Sequence, residues 1–93
     1  MGTKRRPRPR YLGRKLLQIR QSLTLSQEQM AHRLNSKRTP VYPTHISEFE
    51  RDLREPSLLV LLRYARIAGI YVDVLIDDTL DLPARLPSAK GHE

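Results

Sequence analysis

The chain has 93 residues, enough for one domain with a small core, and at 39% hydrophobic content economical helical packing is expected rather than a large sheet. Cysteine is absent, which excludes disulfides and thiolate zinc sites and fits a reducing compartment. Seventeen basic against ten acidic residues give a net charge of +7, and the whole excess lies in the first fifteen positions, where Lys4, Arg5, Arg6, Arg8, Arg10, Arg14 and Lys15 stand with no acid. A basic arm on a neutral remainder points to a polyanionic partner, nucleic acid before an anionic membrane. The longest apolar run, Leu58–Leu62, is too short to span a bilayer. No apolar segment follows the basic N-terminus, so no secretory signal is expected.

Residues 1–10 are expected to be a disordered basic arm, because like charges repel and Pro7 and Pro9 exclude helix. A helix-bearing domain is expected over 11–78 and an extended tail over 79–93. Leu12, Leu16, Ile19 and Leu23 repeat at helical spacing and predict a first helix over 12–22, with Arg14, Lys15 and Gln18 off its apolar face. Ser26-x-x-Gln29 is a capping box that opens a second helix to about residue 34, with Leu25 and Met30 placed as a hydrophobic staple. A polar loop, NSKRTPVY, follows. Pro43 suits the first position of a third helix over about 43–51, whose Ile46 and Phe49 face inward. Thr44, Ser47, Glu48 and Arg51 form one stripe on its opposite face, flanked by His45 and Asp52. Pro56 and Ser57 begin a fourth helix, with Leu58, Leu61, Leu62, Ala65 and Ala68 expected inside and Gly69 ending it. A short fifth helix is expected over 72–77.

Three stretches together, LGRKLLQIRQSLTLSQEQMAHRL, HISEFERDLREPSLLVLLRYARIAGI and VDVLI, resemble the phage-repressor/Cro (XRE) type of helix-turn-helix domain over roughly Leu12–Asp77. The resemblance implies an all-α, compact five-helix fold and a DNA-binding transcriptional regulator. Ala31 and Ile46 stand about five residues further apart than the usual turn of that family allows, the excess lying in NSKRTPVY.

By the same resemblance the third helix enters the major groove, with Thr44, Ser47, Glu48 and His45 as candidate base contacts. Gln27, Lys37, Arg38, Arg51 and Arg54 are candidate phosphate contacts, and Arg20 and Glu50 match a structural ion pair between the first and third helices. Arm residues Lys4, Arg5, Arg6, Arg8 and Arg10 would bind phosphate without regard to sequence.

No catalytic constellation is visible. His32, His45 and His92 are isolated, so no metal is expected, and no cofactor motif occurs. The expected partners are double-stranded DNA and a second copy of the chain, joined through Val72, Val74, Leu75, Ile76, Leu80 and Leu82, in a prokaryotic cytoplasm or nucleoid. With so little chain after the fifth helix, no sensor domain is expected. Two alternatives remain open at this level. One is an antitoxin-like protein-interaction module using the leucines of the tail, Leu80, Leu82 and Leu86. The other is a basic RNA- or membrane-surface binder driven by residues 4–15.

Overall fold

Ser26 fixes the start of the second helix by the reciprocal pair its sequence implies. Its Oγ accepts the Gln29 N–H at 3.0 Å, and Gln29 Oε1 accepts the Ser26 N–H at 2.8 Å. The computed structural model describes residues 8–87. Within them the chain forms five helices and no strand: α1 (Leu12–Ser22), α2 (Gln27–Leu34), α3 (Pro43–Glu50), α4 (Leu58–Ala68) and α5 (Val72–Ile76). Ser57 Oγ accepts the Val60 N–H at 3.3 Å, so Ser57 is the cap of α4 rather than its first residue. Gly69 ends α4 in the left-handed region at φ 79°, and the Ile70 N–H returns to the Ala65 carbonyl at 2.9 Å.

Two helices end in the same way without glycine. Thr24 (φ 55°) closes α1 and Asp52 (φ 60°) closes α3. The Leu25 N–H reaches the Arg20 carbonyl at 3.1 Å, and the Leu53 N–H reaches the Glu48 carbonyl at 2.8 Å, the six-to-one bond of a Schellman turn. Asp52 is also gripped from α1, because its Oδ1 accepts the Gly13 N–H at 3.2 Å. A Cβ on Gly13 would stand 2.5 Å from that oxygen, so glycine is what lets α1 approach the end of α3.

The apolar stripes of the five helices meet in one core. Leu12, Leu16 and Ile19 of α1 join Met30, Ala31 and Leu34 of α2 and Ile46 and Phe49 of α3. On α4 the buried face is rotated from the expected one. Val60, Leu61, Tyr64, Ala65 and Ala68 are inside, Leu62 is half-buried, and Leu58 is 82% exposed. Leu58–Leu62 is apolar all round, so its periodicity could not choose the face. The long loop before α3 is ordered: Ser36 and Thr39 close a turn through their hydroxyls at 2.9 Å. The Val41 N–H donates to Asn35 Oδ1 at 2.8 Å, and the Val41 side chain is buried.

Lys15, expected on the polar face, is buried. Its Nζ donates to the carbonyls of Val74 (2.7 Å), Leu80 (2.8 Å) and Asp77 (3.1 Å), which uses all three of its protons. Beside it, the Asp78 carboxylate accepts the backbone N–H groups of Arg10 and Tyr11 at 3.0–3.3 Å, satisfying donors at the start of α1. The segment after α5 is thus stitched to α1. The tail expected from residue 79 onward joins the globule at Leu82 and Leu86, both buried.

This corrects two residues of the expected dimer surface. Leu75 (0% exposed) and Leu82 (9%) close the domain's own core, where Lys15 fastens the neighbouring carbonyls of Val74, Asp77 and Leu80 to α1. Leu82 and Leu86, expected on a partner-binding tail, are buried and present no surface to a partner. Val72 and Val74 pack half-buried against the core, and Ile76, Leu80 and Tyr71 stay exposed. Replacing Lys15 with Met would leave three carbonyls without their donor. A destabilisation of about 3 kcal/mol is expected, read as a lower urea midpoint. An unchanged midpoint would show that the three bonds contribute nothing to folding.

Candidate nucleic-acid interface

α2 and α3 are held together from behind by one carboxylate. Arg20 of α1 donates from Nε to Glu50 Oε2 at 2.6 Å and from Nη2 to Glu50 Oε1 at 3.0 Å, while its Nη1 donates to the Leu25 carbonyl at 3.0 Å. The Glu50 side chain is 5% exposed and that of Arg20 16%. The bond to Glu50 raises the guanidinium pKa further above its ordinary value. Gln27 Nε2 also donates to Glu50 Oε1, at 3.2 Å. The Gln27 side chain, expected on a phosphate, is therefore turned onto the buried Glu50 carboxylate, which takes it as a further donor. Behind this group the Tyr64 hydroxyl is buried, without a hydrogen-bond partner among the described residues, and burial pushes its pKa up.

The opposite face of α3 carries the polar stripe. Thr44 and Arg51 are exposed; Ser47 and Glu48 are half-exposed. Two pairs order it. Arg51 Nε donates to Ser47 Oγ at 3.2 Å. Arg54 Nε donates to Glu48 Oε1 at 2.6 Å, and that bond holds the Glu48 carboxyl below its ordinary pKa.

His45, expected among the base contacts, is occupied otherwise. Its Nδ1 accepts the Tyr42 N–H at 3.1 Å, closing the start of α3, and its ring lies between those of Tyr42 (5.4 Å) and Phe49 (6.2 Å). Its spacing of three from Tyr42 was the available signal, the same spacing as in the Ser26 capping box.

Lys37 and Arg38 are exposed at the tip of the Ser36–Thr39 turn. Arg8 donates to the Asp52 carbonyl at 3.5 Å and stands 3.9 Å from the Glu55 carboxylate, which brings the described end of the arm beside the α3–α4 connector. The Arg10 side chain is exposed, and Lys4, Arg5 and Arg6 lie outside the described residues. Sequence reasoning missed Gly13 and Asp52 as the fastening of α3, since a left-handed aspartate carries no distinctive pattern. Among the described residues, no His, Cys, Asp and Glu side chains group to hold a metal ion, and no helix is long and apolar enough to cross a membrane.

A family model described as helix-turn-helix matches residues 16–75, from within α1 to within α5. No curated protein matches the chain, and no solved structure does.

Proposed function

The chain belongs to the helix-turn-helix family of Cro and phage-repressor (XRE) type, a family of DNA-binding regulators, and we propose from this membership that it is a sequence-specific transcriptional repressor reading the major groove with α3. The observation that carries the proposal is the polar stripe of exposed Thr44 and half-exposed Ser47 and Glu48 on a helix whose other side is fastened through Glu50. Thr44 offers a methyl to thymine or a hydroxyl to a base edge. Glu48, an acceptor, suits the cytosine amine. Lys37, Arg38 and Arg51 neutralise phosphates around the groove, and the arm adds a sequence-independent hold. Repression follows from occupancy of the site.

One such domain reads about half a site, and a two-fold pair of copies would read an inverted repeat with recognition helices ~34 Å apart. Tyr71, Ile76 and Leu80 are the exposed apolar residues available to that contact. Selection from a random duplex pool tests the proposal. The expected product is an inverted repeat, and Thr44→Ala should relax preference at one or two base pairs per half, by about 1–3 kcal/mol. A selected sequence unchanged by both Thr44→Ala and Glu48→Ala would remove α3 as the reader.

A further inference from the structure

A carboxylate is an awkward reader of DNA, because a misplaced Glu meets phosphate rather than a cytosine amine, and the two repel. Glu48 stands on the reading helix with this difficulty. Its neighbourhood answers it through Arg54, six residues later and beyond the end of α3, which donates from Nε to Glu48 Oε1 at 2.6 Å. We infer that Arg54 is a specificity-determining positioning residue: it holds the Glu48 carboxylate in one orientation and so sets the base that Glu48 selects. The inference rests on the proposed reading of DNA by α3 and assigns Arg54 a task other than a plain phosphate contact.

The backbone explains why these two residues meet. α3 ends in the left-handed Asp52, with the Leu53 N–H bonded to the Glu48 carbonyl at 2.8 Å and the Asp52 N–H to the Phe49 carbonyl at 3.2 Å. The chain reverses there and brings residue 54 back alongside residue 48. The reversal is pinned to α1, because Asp52 Oδ1 accepts the Gly13 N–H and the Gly13 Cα leaves no room for a Cβ. Arg54 therefore springs from a fixed point.

The pair itself lies partly in solvent, with the side chains 52% (Arg54) and 35% (Glu48) exposed. Such a pair contributes little to stability, so its consequence is orientation and local neutralisation. Arg54 occupies Oε1, and among the described residues nothing bonds Oε2, which is left as the acceptor for a base amine. The terminal amino groups of Arg54 remain for a phosphate. Arg51 makes a contrasting bond, to the neutral Ser47 hydroxyl, and carries no carboxylate into place.

The test is duplex selection and titration with the full chain and three variants, Glu48→Ala, Arg54→Ala and Arg54→Lys. Lysine keeps the charge and a phosphate contact but lacks the planar Nε–H that sets the carboxylate. The expected result is that Arg54→Lys keeps the salt dependence and total affinity within about twofold. It should lower discrimination at the base pair read by Glu48 about five- to tenfold, with other positions unchanged. Arg54→Ala should relax that same base pair, and in a Glu48→Ala background neither Arg54 change should alter base preference further. The inference is overturned if Arg54→Lys behaves as wild type and Arg54→Ala weakens all sequences alike, while Glu48→Ala still relaxes one position. Should Glu48→Ala leave the selected sequence unchanged while Thr44→Ala relaxes it, this inference fails and the reading by α3 stands; a sequence unchanged by both would remove the reading itself.

Discussion

Replacing Arg20 with Met is expected to destabilise the domain by about 3–5 kcal/mol, because the Glu50 carboxylate would remain buried with the Gln27 amide as its one remaining side-chain donor among the described residues. The cost comes from stranding a charge rather than from losing two hydrogen bonds. The double variant Arg20→Met, Glu50→Leu should therefore cost less than the sum of the two single changes, since no ion is left unpaired. A urea denaturation cycle gives the four free energies, and a coupling above about 1 kcal/mol is expected. Additive effects would show that the pair does not act as a unit. DNA affinity should fall in each single variant even where the domain stays folded, because Glu50 joins α1 and the start of α2 to the end of α3.

Neutralising the arm is expected to change binding more than any other surface alteration. Lys4, Arg5, Arg6, Arg8 and Arg10 can each displace a counterion, contributing roughly 0.9 to the slope of log affinity against log salt. Replacing all five with Ser leaves the Arg10 backbone N–H on Asp78 in place, which deletion would not. The slope should fall by roughly three to five units, and affinity at about 0.1 M salt by a hundredfold or more, similarly on every sequence. DNA must draw Arg8 from Glu55 and the Asp52 carbonyl, which lowers its share. An unchanged slope would mean that the arm makes no phosphate contact.

The parts of the fold legible in the sequence are those governed by local chemistry. Leu12, Leu16 and Ile19 mark α1 by spacing alone, Ser26 and Gln29 announce the cap of α2, and Pro43 and Gly69 punctuate α3 and α4. What stayed hidden depends on partners distant in the chain. Lys15 reads as a solvated charge until the backbone after α5 arrives to bond it. Leu82 and Leu86 read as tail residues or an interface until that same contact draws them inward. Thr24 and Asp52 end their helices in a conformation that favours glycine, so no residue type betrayed the turns. Val41 was the one apolar signal that the long loop before α3 is anchored rather than free. On the candidate interface, the stripe of α3 followed from helical geometry. The pairing of Glu48 with Arg54 did not, because it needs the reversal at Asp52.

The central proposal, that α3 reads sequence and the basic arm merely adds to the hold, separates cleanly in one titration. The affinity of the full chain for its best selected duplex is compared with that for a scrambled duplex of equal length and composition, across a series of salt concentrations. Both affinities should fall as salt rises, while their ratio stays at about 10³ or more, because base contacts survive screening that phosphate contacts do not. A ratio near one at every salt concentration would contradict the proposal and leave a polyanion binder driven by its arm.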